Sequence, residues 1–190
     1  MSKRFFALRE DVYVPGRWYL DDPVEPSGQR VKNIWRFTDG ESLDLRERLR
    51  IPVDRPGTSL DFTAAGAGST PIVSARMASV FSQLAPEDVQ LFPVDVDSTH
   101  EPFFLLVVTK LIEGVDDLAC REVKRWSPTD GRPEKVGQYR AIHGLRIDPE
   151  KAGDARAFRL WGWPLPIIVG EAVKETLERA EFRGGRFEEV

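Results

Sequence analysis

The spacing of apolar side chains along the chain predicts two amphipathic helices set among many short strands. Met77, Val80, Phe81 and Leu84 recur at the intervals that give a helix one apolar face. Ser74 stands before them as an N-cap whose hydroxyl can accept from the free amides of the first turn, and Pro86 stops the helix. Burying that face contributes roughly 6–12 kcal/mol before the entropy of ordering is subtracted. A second helix is expected from Gly170 to Ala180, with Val173, Leu177 and Ala180 on one side and the Glu175–Arg179 pair on another.

Strand-like runs fill most of the remainder. Arg4–Leu8, Val31–Phe37, Val89–Val96, Phe103–Thr109, Tyr139–Ile147 and Ala157–Trp161 are rich in β-branched or aromatic residues and bounded by turn residues. In the second of these, Trp35 and Phe37 alternate with Arg36, as on a half-buried strand. Phe103–Val108 is apolar throughout and is expected at the centre of a sheet, covered on both faces. Thr63–Thr70, all small residues, and Ser127–Gly137, with its Asp130-Gly131 turn signal, are expected to be loops. The surroundings of the two helices are alike. Pro71-Ile72-Val73-Ser74 leads into the first and Pro166-Ile167-Ile168-Val169-Gly170 into the second, and each is followed by a strand-like run, Val89–Val96 and Arg186–Val190. The expectation is an α+β single domain over residues 1–190, with mixed, mostly antiparallel sheet, two to three helices and a duplicated strand–helix–strand unit. The only soft point for a subdivision is the small-residue stretch at 63–70.

Composition adds constraints. The chain has 190 residues, with 41% hydrophobic and 31% charged, which suits an ordinary globular protein. At this length about 70% of the unfolded surface can be buried, so neither disulfides nor metal is needed. The single cysteine, Cys120, excludes an intrachain disulfide, and it reads as a small, partly buried residue in a reducing compartment. The N-terminal apolar run Phe5-Phe6-Ala7-Leu8 is too short for a signal peptide and no stretch is long enough for a membrane span, so cytoplasmic residence is expected. A net charge of −4 argues against general nucleic-acid binding and fits a basic partner.

Catalytic and metal-binding patterns are missing. His100 and His143 lack a second histidine at helical spacing, and there is no cysteine pair. Gly66 and Gly68 are not followed by a phosphate-binding lysine. Asp116 and Asp117 are adjacent and would point apart on a strand, which favours a surface turn over a pair of catalytic carboxylates. No catalytic, cofactor-binding or metal-ligating residue is therefore assigned.

Charge is distributed unevenly. Residues 77–120 hold eight carboxylates and one lysine, a net charge of −7, which leaves the remainder of the chain at +3. Asp95 and Asp97 alternate with Val94 and Val96 and should share one face of a strand. Pro93, which cannot donate to a ladder, suggests a bulge or a sheet edge there. Such an edge could dock a basic partner, and the same charges could equally serve to keep an edge soluble and unpaired. The candidate partner-binding residues are Glu87, Asp88, Asp95, Asp97, Glu101, Asp116 and Asp117.

A wider pattern runs through the chain. It comprises Pro15-Gly16-x-Trp18-Tyr19, Leu60-Asp61-Phe62, Ile72-Val73-Ser74 and Val89-Gln90-Leu91-Phe92-Pro93-Val94. Phe158-Arg159-Leu160, Ile167-Ile168-Val169 and Gly185-Arg186-Phe187 complete it. In order and spacing these segments resemble a bacterial immunity-protein family named for a myxobacterial immunity protein. Arg186 departs from the hydrophobic residue usual at its position in that family. The resemblance implies a cognate toxin domain, encoded nearby and in some systems a nuclease, that is neutralised by stoichiometric binding. It carries over no catalytic or binding residue; no cofactor, no membrane and no direct nucleic-acid contact are expected, and the oligomeric state is left open. Two other functions fit the residues: an adaptor in a secretion or signalling complex, and an enzyme without a readable motif.

Overall fold

Alternating and fully apolar runs pair into two five-stranded sheets in the computed structural model, which describes residues 3–190. Met1 and Ser2, part of the N-terminal segment judged too short for a signal peptide, lie outside the described residues. The first sheet holds β1 (Phe5–Glu10), β9 (Leu111–Ile112), β12 (Ala157–Leu160), β13 (Trp163–Gly170) and β14 (Gly185–Glu189), in the order β14-β1-β13-β12-β9. The second holds β3 (Arg50–Ile51), β5 (Phe62–Ala65), β6 (Thr70–Ser74), β7 (Val89–Val96) and β8 (Phe103–Val108), in the order β3-β7-β8-β6-β5. All pairings in the two sheets are antiparallel except β9 with β12 and β3 with β7. Two small hairpin-like pairs lie outside them, β2 (Tyr19–Leu20) with β4 (Val53–Arg55) and β10 (Glu122–Arg125) with β11 (Tyr139–His143).

The helices are α1 (Ala75–Leu84), α2 (Pro149–Ala152) and α3 (Glu171–Arg179). Ser74 caps α1, its hydroxyl accepting from the Met77 amide at 3.3 Å. The duplicated unit is present as topology. In the second sheet β6–α1–β7 crosses over the intervening strand β8; in the first, β13–α3–β14 crosses over β1. Each is a split βαβ unit preceded by a hairpin, β5–β6 or β12–β13. The intervening strand follows the unit in one copy and comes from the opposite end of the chain in the other.

These repeats explain where the core lies. Helices α1 and α3 pack together between the two sheets, and Phe6, Leu8, Val73, Phe81, Leu106, Val169 and Leu177 all join one central cluster. The far face of the second sheet is covered by Trp18, Leu20, Phe37 and Leu49, and that of the first by Val115, Tyr139, Leu145 and Ile147. Strand β8 is consequently apolar on both sides, as its sequence predicts.

Three local expectations need correction. Val31–Phe37 is not a strand: Ile34–Phe37 forms a 3-10 turn, because the Asn33 side chain accepts from the Trp35 amide at 3.1 Å and caps it. Phe37 is buried and Trp35 half-exposed, an outcome that alternation alone does not distinguish from a strand. Thr63–Thr70 is a tight hairpin, not a flexible loop. Its small side chains let the backbone press against neighbours. Gly66 has a positive φ and packs on Asp22, whose carboxylate accepts from the Gly68 amide. Finally, β7 is not an edge strand where Asp95 stands, since β3 pairs with it at Asp95 and Val96.

Candidate functional site

The seven candidate carboxylates fall into separate settings. Asp88 is 4% exposed. One oxygen meets Lys110 Nζ at 2.6 Å, and the other accepts from the main-chain amides of Arg156 and Ala157 at 2.7 and 3.1 Å. It fastens the α1–β7 turn to β12. Its neighbour Glu87 is exposed at the rim of the same turn. Asp95 lies on β7 and Asp97 in the turn just past its end, and each has an arginine: Arg48 lies 2.9 Å from Asp95 and Arg50 3.7 Å from Asp97. Glu101 is exposed in the turn before β8. Glu87 and Asp88 line a shallow cavity beside Lys110 and Arg156, and Asp116 and Asp117 line a second cleft.

That cleft, about 370 Å³, lies in the layer covering the outer face of the first sheet. Its walls include Glu113, Asp116, Asp117, Arg125, Tyr139 and Trp161. The sequence Asp116-Asp117-Leu118-Ala119-Cys120 turns sharply because Asp116 accepts from the Leu118 and Ala119 amides, both at 3.1 Å, while the Cys120 amide donates to the Asp116 carbonyl at 3.0 Å. This is the surface turn expected of the paired aspartates. Its consequence could not be read from the chain: Leu118 is thrust outward with 98% of its surface exposed. Cys120 sits beneath and is buried rather than partly buried, and burial pushes its thiol pKa up.

Asp117 anchors the cleft wall. Its carboxylate accepts from the Tyr139 hydroxyl and from Arg125 Nη2, both at 2.8 Å. Arg125 also donates to the Tyr139 oxygen at 2.6 Å and lies 4.1 Å over the same ring. Burial opposes ionisation of Asp117, but the bonds from Arg125 and Tyr139 overcome it and hold the carboxyl below its ordinary range. Burial, followed by the neighbouring Asp117, pushes the Tyr139 hydroxyl up to about 12. The folded state thus favours the neutral phenol. Its contribution to stability is complete below the ordinary tyrosine value of about 10 and is lost as pH rises through about 12. An alkaline spectrophotometric titration of the protein and of Tyr139→Phe should differ by one phenolate with a midpoint near 12. A difference midpoint at the ordinary value would mean that the network does not form.

No group of three or more His, Cys, Asp or Glu able to hold a metal occurs among the described residues. His100 and His143 lie on exposed positions, His143 beside Glu122 on a small hairpin. What the site offers is a projecting leucine on a braced turn, flanked by Trp161 and by the acidic side chains of Glu113 and Asp116. The sequence profile of the immunity protein family (Imm11) matches residues 6–190. The chain belongs to this family. Membership gives the chain an immunity role and implies a cognate toxin as its partner. The match spans both split βαβ units and both covering layers, so the family resemblance extends beyond the cleft to the whole architecture. No curated protein matches the chain by sequence. No helix among the described residues is long and apolar enough to cross a membrane.

Proposed function

We propose that this protein neutralises a cognate toxin domain by one-to-one occlusion, without catalysis, and that the toxin presents a basic, nuclease-type surface to the cleft at Asp116–Leu118. The observation that carries this reading is Leu118. A fully exposed leucine on a turn fixed by side-chain hydrogen bonds has the character of a preorganised anchor, for which little ordering entropy remains to be lost on binding. The flanking carboxylates of Glu113 and Asp116 would steer a basic surface and speed encounter. Asp95, Asp97, Glu87 and Glu101 would add only to the long-range field, and Asp88 is engaged inside the fold.

The test is co-expression with the toxin-like gene encoded next to this one, followed by measurement of complex formation. The native chain should protect cells and form a stoichiometric complex. Leu118→Asp should fold normally and lose roughly 10- to 100-fold in affinity, mainly through faster dissociation. Glu113→Lys should slow association at low salt and have little effect at high salt. Full protection and unchanged affinity in Leu118→Asp would move the interface elsewhere. Protection at far below one molecule per toxin would replace occlusion with catalysis.

A further inference from the structure

Strand β14 forms one edge of the first sheet, and its outer side carries free main-chain groups. The pairing register sets Phe6 opposite Glu189 and Glu10 opposite Gly185. The Val190 amide donates to the Phe5 carbonyl at 3.0 Å and the Asp11 amide to the Gly184 carbonyl at 2.9 Å. Hydrogen-bonded pairs alternate along an antiparallel ladder. Residues 184, 186, 188 and 190 therefore bond inward to β1, and Gly185, Phe187 and Glu189 direct their amides and carbonyls outward. Among the described residues the one group reaching that side is Arg146, whose Nη1 lies 3.4 Å from the Glu189 carbonyl.

The other edges are handled differently. β3 and β9 are two residues long. On β5 the Phe62 amide donates to the Arg183 carbonyl and the Ala64 amide to the Glu10 carboxylate. β14 is the long edge without such a cover, and an uncovered edge is a template for another strand.

The side chains identify the strand that fits. Arg186 stands directly opposite Arg9 within its own sheet, a like-charge pairing that is unfavourable. Arg9 turns instead to Glu188 at 2.9 Å, and Arg186 has no ion-pair partner among the described residues. On the other face, Phe187 is half-buried against Phe182, with ring centroids 5.4 Å apart, at the rim of the central core.

We infer that β14 is a self-association edge, where a second copy of this chain adds its own β14 antiparallel about a two-fold axis at Phe187. In that register the outward-bonding residues 185, 187 and 189 meet the partner's 189, 187 and 185, and all their main-chain groups pair. Arg186 then faces the partner's Glu188, and Glu188 the partner's Arg186. Phe187 meets the partner's Phe187 on the core side, and Gly185 leaves room for the partner's Glu189. The neighbouring two-fold registers that keep outward groups paired would set Arg186 against the partner's Arg186, or Glu188 against the partner's Glu188. Charge thus selects one register. The product is a continuous ten-stranded sheet, with a short seam and an association that depends on concentration.

The experiment is sedimentation equilibrium of the full chain up to roughly 1 mM, with amide hydrogen exchange measured along β14. Mass should rise with concentration from 21.5 kDa toward twice that value. Exchange at Phe187 and Glu189 should slow in parallel, while Arg186 and Glu188 stay protected throughout. Arg186→Glu places a carboxylate beside Arg9, so it preserves the fold, but it should weaken the dimer by about tenfold through repulsion from the partner's Glu188. The swap Arg186→Glu with Glu188→Arg should restore dimerisation. A chain that stays at 21.5 kDa at the highest concentration overturns the inference. So does a dimer insensitive to Arg186→Glu, or β14 amides that become protected only when toxin is added.

Discussion

Phe81→Ala should lower stability by about 3–5 kcal/mol, the largest loss expected from any single truncation in α1. Phe81 has no exposed surface and belongs to the central cluster, on a helix that packs against α3 and the second sheet. That cluster draws on α1, α3 and both sheets, so it closes poorly over a gap, and the residual cavity adds to the lost transfer energy. With a urea m-value of about 2 kcal/mol/M, the midpoint should fall by roughly 2 M. Leu84→Ala, on the same face but only partly buried, should cost distinctly less. Equal midpoints for Phe81→Ala and the native chain would mean that α1 does not pack as described. Because the central cluster draws on both sheets, the loss should appear as a single transition reported equally by probes in either half.

The position of Phe81 was readable in the chain because a 3.6-residue period, a serine cap and a stopping proline all agreed. α3 was readable from its apolar period alone, without a side-chain cap or a stopping proline, and β8 from an apolar run that is buried on both faces. The duplication was legible for a related reason: each copy repeats the order of apolar strand, cap and helix. What escaped has a common physical origin. Strand β3 is two residues long and contains no period, yet it is what removes β7 from the edge. Pro93 did mark its surroundings correctly. The Asp95 and Asp97 amides donate outward to the Leu49 and Ile51 carbonyls, so the missing donor of Pro93, two residues earlier, faces the side that β3 leaves open. Asn33 converted a strand-like alternation into a turn by capping, a local contest between side chain and ladder that composition does not resolve.

The cleft shows the same division. That Asp116 and Asp117 form a turn follows from their adjacency. That the turn lifts Leu118 into solvent follows from Asp116 accepting two amides, and that Asp117 is braced follows from Arg125 and Tyr139, which belong to a hairpin brought alongside only by folding. No spacing in the chain connects residue 117 with 139.

Asp88→Ala should be nearly as damaging as Phe81→Ala, at about 3–5 kcal/mol, whereas Glu87→Ala, one residue away, should change stability by no more than about 0.5 kcal/mol. Truncating Asp88 leaves the amides of Arg156 and Ala157 without an acceptor, each at a cost of about 1–3 kcal/mol, and strands the ammonium of Lys110. The lone lysine of the acidic stretch thereby acquires a reason for its position. Asp88→Asn keeps an acceptor for the amides but sets an amide group or an uncharged oxygen against Lys110, so it should fall between the two. Thermal unfolding of the three variants ranks them directly. Since Asp88 joins the start of β7 to the start of β12, hydrogen exchange in Asp88→Ala should also rise first at the Arg156 and Ala157 amides, at the junction between the sheets. Equal losses for Asp88→Ala and Glu87→Ala would show that burial does not separate these adjacent acids. The expected contrast would instead assign the interior carboxylate to the fold and leave the exposed ones free to meet a partner.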